Sequence, residues 1–141
     1  MQRVFFYWTT RDVSSFRMFS DVMVELYEQD TEKRLEVRNF LTTIEESEVG
    51  TVLLNLAANQ IHKQTEMDIR LGHHSRAPLS IGRPDWETEF DRVLTTTRQL
   101  GLSEAGIFLC GPSAMALQVC STATKVSNKG GGKLVFSKET F

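Results

Sequence analysis

Two arginines stand where a chain can offer positive charge to a phosphate. Arg11 follows the apolar run Val4 to Trp8, and Arg83 is presented by the turn-forming Ile81-Gly82-Arg83-Pro84. A guanidinium is planar, always charged, and clamps a phosphate through two hydrogen bonds. A pair of them at strand-end loops suits the extra phosphate that separates NADPH from NADH. Each also has a plainer reading: Arg11 as an ion pair with Asp12 or a helix-start charge, and Arg83 as a solvated turn residue.

Cys110-Gly111-Pro112 ends an apolar segment and turns into a helix, which exposes backbone N–H groups and a small side chain above a sheet. The plainer reading of Cys110 is a buried structural cysteine, and Cys120, on the following helix, reads as core. Phe141 either packs on the surface or stacks on a planar cofactor. His73 and His74 are adjacent, so their side chains diverge, and no third ligand stands at metal spacing. Glu45, Glu46 and Glu48 read as a solvated helix start favoured by the helix dipole. GxSxG, Walker and paired-acid arrangements are absent from the sequence.

The elements that must position these residues follow from periodicity. Val4 to Trp8 reads as a strand buried on both faces. Phe16, Phe19, Met23, Leu26 and Tyr27 recur at steps of three and four and predict one helix over Val13 to Gln29, closed by polar Asp30 to Arg34. Leu35 to Ile44 reads as a second strand, and Val49, Val52, Leu53 and Leu56 as the packing stripe of a helix. His62 to Ser80 shows no sustained period and reads as loop with a short strand or turn. Asp85 is the expected N-cap of a helix to about Leu100, with Trp86, Phe90, Val93 and Leu94 inward. Ile107 to Cys110 is a short strand, Pro112 the first position of a helix to about Lys125, and Leu134 to Phe136 a last strand. Gly130, Gly131 and Gly132 mark a flexible turn.

Strands alternating with helices argue an α/β, doubly wound, mostly parallel sheet with helices on both faces. At 141 residues and 40% apolar composition the chain suits a single domain. Its 16 basic and 18 acidic residues, a net charge of −2, indicate no nucleic-acid partner. No stretch reaches the roughly 18 apolar residues of a membrane span, and two cysteines make no disulfide framework. A reducing cytosolic setting fits best.

Five segments in chain order carry a family resemblance: Val4-Phe5-Phe6-Tyr7-Trp8-Thr9-Thr10-Arg11-Asp12; Ser15-Phe16 with Phe19; Gly82-Arg83-Pro84-Asp85-Trp86; Gly106-Ile107-Phe108-Leu109-Cys110-Gly111-Pro112; and Lys138-Glu139-Thr140-Phe141. Together they resemble the C-terminal dehydrogenase domain of NADPH oxidases, the respiratory-burst and calcium-regulated enzymes of the ferredoxin-NADP reductase-like superfamily.

The resemblance implies a reductase-type NADP-binding fold. It carries cofactor binding to Trp8, Thr10, Arg11, Arg83, Pro84, Cys110, Gly111, Pro112 and Phe141. Arg11 and Arg83 would lie near the adenosine 2′-phosphate, Cys110 beside the nicotinamide, and Phe141 over the flavin, with Cys110 and Phe141 at the hydride-transfer centre. NADPH would pass hydride to FAD and electrons onward through haem to oxygen, giving superoxide or hydrogen peroxide. The partners implied are a flavin domain and a haem-bearing membrane domain, with this part on the cytosolic membrane face. The first strand of such a domain and its glycine-rich turn are missing. The chain therefore reads as a partial domain, inactive alone, with a gap between the strand ending at Arg11 and the strand ending at Cys110. Two other readings stand beside this one: the equivalent domain of a ferric-chelate reductase, and a regulatory segment in which His62 to Ser80 receives a cytosolic activator or calcium-sensing domain.

Overall fold

Aromatic and β-branched residues fill Val4–Thr10, which favours a pleated, half-buried strand (β1). In the computed structural model, which describes residues 2–12, 14–43, 49–50, 53 and 77–138, β1 pairs in parallel with Leu35–Leu41 (β2), Val4 facing Leu35 and Thr10 facing Leu41. Leu79–Ile81 (β3) adds in parallel to the other side of β2, with Leu79 against Asn39 and Ile81 against Leu41. The chain divides into two compact units, Met1–Pro84 and Asp85–Phe141. These three strands belong to the first.

Parallel pairing demands a crossover, and Ser14–Met18 (α1) and Ser20–Gln29 (α2) supply it between β1 and β2. The single helix expected over Val13 to Gln29 is interrupted at Phe19, whose φ of −112° and ψ of 12° leave the helical region. The interruption resets the phase of the apolar stripe. Phe16 still packs on Leu41, Leu79 and Trp8, and Tyr27 on Val37 and Ala77. Phe19 and Leu26, expected inward, are exposed at 46% and 43%. The turn after α2 is held by Asp30, whose carboxylate accepts from Arg34 N at 2.7 Å and Leu35 N at 2.9 Å and so launches β2.

β2 is the centre of this sheet. Val37 and Leu41 are wholly buried, with Asn39 between them on the same face. Asn39 Nδ2 donates to Ala77 O at 3.4 Å, whereas its buried Oδ1 has no hydrogen-bond partner among the described residues. An unsatisfied acceptor of this kind costs about 1–3 kcal/mol. β1 is half-buried rather than covered on both faces, and Phe6 is exposed. β2 stops at Leu41, short of the expected Ile44, which lies outside the described residues. The expected stripe after it is described only at Val49 and Leu53, both exposed. Of the unpatterned His62 to Ser80, only its end is described, and there β3 begins.

In the second unit, Trp86–Gln99 forms α3 under an Asp85 cap that accepts from Glu87 N at 3.1 Å and Thr88 Oγ1 at 2.7 Å. Trp86, Phe90, Val93 and Leu94 are buried as expected. Glu104–Leu109 (β4) and Lys133–Lys138 (β5) pair in parallel across Ser113–Asn128 (α4). Pro112 is not the first helical residue: at ψ 149° it is extended and stands just before α4. Ala116, Val119, Ala123 and Val126 form the buried stripe of α4, while Cys120, expected in the core, is half-buried. Gly130, Gly131 and Gly132 all have positive φ, and a Cβ on Gly131 would come within 2.7 Å of Arg98 Nη1.

The described architecture is thus mixed α/β, with parallel ladders β1-β2-β3 and β4-β5. No helix among the described residues is long and apolar enough to cross a membrane.

Glu87, in the first turn of α3, accepts from Lys125 Nζ at 2.7 Å and Lys129 Nζ at 2.5 Å near the end of α4. Those two ammonium groups pull its carboxyl from 4.5 down to about 2. Since the folded state lowers this pKa, its stabilisation is complete above pH 4.5 and disappears as pH falls through about 2. Glu87→Gln should therefore match the parent protein at about pH 2 and be less stable above pH 4.5, with the gap narrowing at high salt. Urea titrations at stepped pH would read this. Superimposable stability profiles across that range would exclude the clamp.

Candidate nucleotide-binding site

Because β1, β2 and β3 are parallel, their carboxyl ends share one edge of the first unit. Thr10, Leu41 and Ile81 lie level in register there, so Arg11 and Gly82 begin the loops on either side of β2. Two strand spacings set their backbones about 10 Å apart, a gap that two extended arginine side chains can close.

The loop after β1 is braced by short polar side chains. Thr10 Oγ1 accepts from Asp12 N at 3.1 Å and donates to Ser15 Oγ at 3.3 Å. Asp12 Oδ1 accepts from Ser14 N at 2.8 Å, and its Oδ2 from Ser14 Oγ at 2.5 Å. The hydroxyl and amide of Ser14 hold the Asp12 carboxyl below the usual carboxylate range. Thr42 secures the neighbouring strand, its N and Oγ1 both donating to Thr10 O, at 2.8 and 3.1 Å. The ion pair between Arg11 and Asp12 is not formed: Asp12 is turned to Ser14. Arg11 is exposed and has no ion pair among the described residues.

Across β2, Gly82 has φ 98° and donates its N–H to Leu41 O at 2.8 Å, which makes the tight turn expected of Gly/Pro. Arg83 is exposed, again with no ion pair among the described residues, while Pro84 is buried. Trp8 is half-buried within an aromatic group, its ring 5.6 Å from Phe16, 5.3 Å from Phe19 and 6.2 Å from Phe6. The structure thus brings Trp8, Thr10, Arg11, Arg83 and Pro84 to one strand-end region.

Cys110, Gly111 and Pro112 belong to the second unit, at the carboxyl end of β4. Cys110 is exposed, which removes the reading of a buried structural cysteine. A Cβ on Gly111 would meet Met115 Cε at 2.5 Å. Phe141, His73 and His74 lie outside the described residues, and no group of metal-ligating side chains occurs among those described. Sequence reasoning passed over Asp12, Ser14, Ser15 and Thr42 as supports. The spacing Thr10-x-Asp12-x-Ser14 was the available signal, since Ser, Thr and Asp bond nearby backbone at turns and helix starts.

The edge meets a simple test of fit to a phosphorylated nucleotide. Its exposed guanidinium groups flank the central strand, and the carboxylate beside one of them is engaged elsewhere.

Parallel strands joined by crossover helices, with their carboxyl ends on one side, are the class of α/β fold that takes nucleotides at that edge. Residues 1–124 match the family model described as the ferric reductase NAD binding domain, and the chain belongs to that family. It is 31% identical over 99% of its length to respiratory burst oxidase homolog protein B of Solanum tuberosum, covering 16% of that protein. Against homolog proteins A and B of Arabidopsis thaliana it is 28% and 30% identical over 99% of its length, covering 15% and 16% of them. The chain thus spans about a sixth of the length of the curated relatives it matches. The resemblance carried by the five segments is borne out.

Gly82→Ala should lose about 1–2 kcal/mol, because φ 98° is unfavourable for a residue with a Cβ although the space is open. Denaturant titration reads the loss. An unchanged midpoint would mean that the turn relaxes and does not fix Arg83.

Proposed function

We propose that this chain is the NADPH-binding part of a flavin- and haem-dependent NADPH oxidase, with both units belonging to one reductase-type, doubly wound domain. The observation that carries the reading is the pair Arg11 and Arg83 in the loops that leave the strands flanking β2, exposed and unpaired among the described residues. Such a pair meets the charge of a 2′-phosphate, which NADH lacks. Membership of an NAD binding family and relatives named respiratory burst oxidase homologs support the wider assignment.

In this reading Trp8 and Thr10 shape the edge, the braced loop after β1 holds Arg11 outward, and Gly82 with Pro84 sets Arg83. Cys110, with Gly111 and Pro112, approaches the nicotinamide, and exposure of Cys110 is compatible with that role. Phe141 covers the flavin. The nicotinamide supplies the hydride when bound, and no side chain of this chain is required as acid or base. FAD, haem and the glycine-rich strand that cradles the pyrophosphate come from other parts of the parent protein, and this part works at the cytosolic face of the membrane. Electrons reach oxygen, giving superoxide or hydrogen peroxide.

The family description favours a second reading, the corresponding part of a ferric reductase, which differs in its final acceptor. Reduction of oxygen against ferric chelate by the parent protein separates the two.

NADPH and NADH titrations of the 141-residue chain, followed by Trp8 and Trp86 fluorescence, test the site. Saturable quenching by NADPH should weaken at least about tenfold in Arg11→Ala and in Arg83→Ala, the loss of one charge-assisted contact. NADH should respond little to either change. Equal affinity for the two nucleotides, untouched by both substitutions, would remove the 2′-phosphate role.

A further inference from the structure

An aspartate at the end of a nucleotide-binding strand is ordinarily the group that accepts a hydrogen bond from the ribose 2′-hydroxyl, and it repels a 2′-phosphate. Asp12 stands at that place here, directly after Arg11 and two residues beyond the end of β1. A free carboxylate there would favour NADH and oppose the arginine beside it. The structure shows how the conflict is avoided. Both Asp12 oxygens are occupied by one residue: Oδ1 accepts from Ser14 N at 2.8 Å and Oδ2 from Ser14 Oγ at 2.5 Å. The Asp12 backbone is fixed as well, its N–H bonded to Thr10 Oγ1 at 3.1 Å. The carboxylate therefore turns on a backbone held at its N–H.

We infer that Ser14 is a cofactor-selectivity residue: its hydroxyl holds the Asp12 carboxylate toward α1, away from the ribose, and so lets Arg11 select a 2′-phosphate. The inference rests on the reading of Arg11 as a 2′-phosphate ligand. Ser14 is a positioning residue, acting on the nucleotide only through Asp12. Its backbone N–H on Oδ1 survives replacement by any residue except proline, so among such variants the side-chain hydroxyl is what holds or releases Oδ2. Once released, Oδ2 is a strong acceptor for a ribose 2′-hydroxyl and a like charge against a 2′-phosphate.

The test is the ratio of NADH to NADPH dissociation constants for the 141-residue chain and four variants, with circular dichroism reporting the fold. Ser14→Ala should lower that ratio by at least about tenfold, the worth of one charge-assisted hydrogen bond gained by NADH together with a repulsion imposed on NADPH. Ser14→Thr, which keeps the hydroxyl, should keep the ratio. Adding Asp12→Asn to Ser14→Ala should abolish the gain for NADH, because the released carboxylate is gone. A purely structural role would weaken both nucleotides together and leave the ratio unmoved, which overturns the inference. If Ser14→Ala leaves the ratio unchanged while Arg11→Ala removes the NADPH preference, the selectivity role fails and the site assignment stands. If the parent chain shows no NADPH preference, both fail. Should Ser14→Ala prove unfolded, a ratio altered in Ser14→Thr would overturn the inference, and an unaltered one supports it.

Discussion

Parallel pairing is the constraint on which the rest of this structure depends. Adjacent parallel strands cannot be joined by a tight turn, so every pair needs a crossover, and every strand must then finish on the same side. β1, β2 and β3 obey this, as do β4 and β5 around α4. One consequence is that residues far apart in sequence share an edge: Arg11 and Arg83 are placed on either side of β2 without any contact between their own segments being required. Another is that the central strand must be apolar where the crossovers lie on it, as Val37 and Leu41 are. Asn39 breaks that rule with only one of its two polar ends bonded among the described residues.

Carboxylates and guanidinium groups divide their work. Asp12, Asp30 and Asp85 each accept a backbone N–H at the start of the segment that follows, from Ser14, Arg34 and Glu87 respectively. These acids are absorbed by local geometry, where turn and helix-start N–H groups lack other acceptors. Glu87 is absorbed differently, by two lysines from the far end of another helix. Arg11 and Arg83 are left over at the strand-end loops, with no ion pair among the described residues.

Much of this was legible from periodicity. The second unit was read closely: Asp85 caps α3, and Trp86, Phe90, Val93 and Leu94 are buried, because a proline, a cap and a regular stripe all point the same way. The Gly82 turn was equally plain. Errors arose where local pattern conflicts with packing. An unbroken stripe from Phe16 to Tyr27 cannot reveal that the backbone leaves the helical region at Phe19, since no proline or glycine marks the spot. The run Val4 to Trp8 looks fully buried because composition does not say which neighbours cover a strand. The arginines could be picked out as candidates from type and position. Their freedom from ion pairs could not, because it depends on where the Asp12 carboxylate turns. Motif order across the whole chain identified the family more surely than any one residue did.

β3 joins the sheet through three residue pairs, Asn39 with Leu79 to Leu41 with Ile81, the shortest ladder among the described residues. Arg83 hangs from the end of that strand, and Arg11 from the strand on the far side of β2. A ligand that grips both arginines therefore spans the whole sheet and ties its weakest member in place. By mass action, occupancy at a hundred times the dissociation constant adds about 2.7 kcal/mol to the arrangement it requires. For any such ligand, binding and docking of β3 would share one free energy.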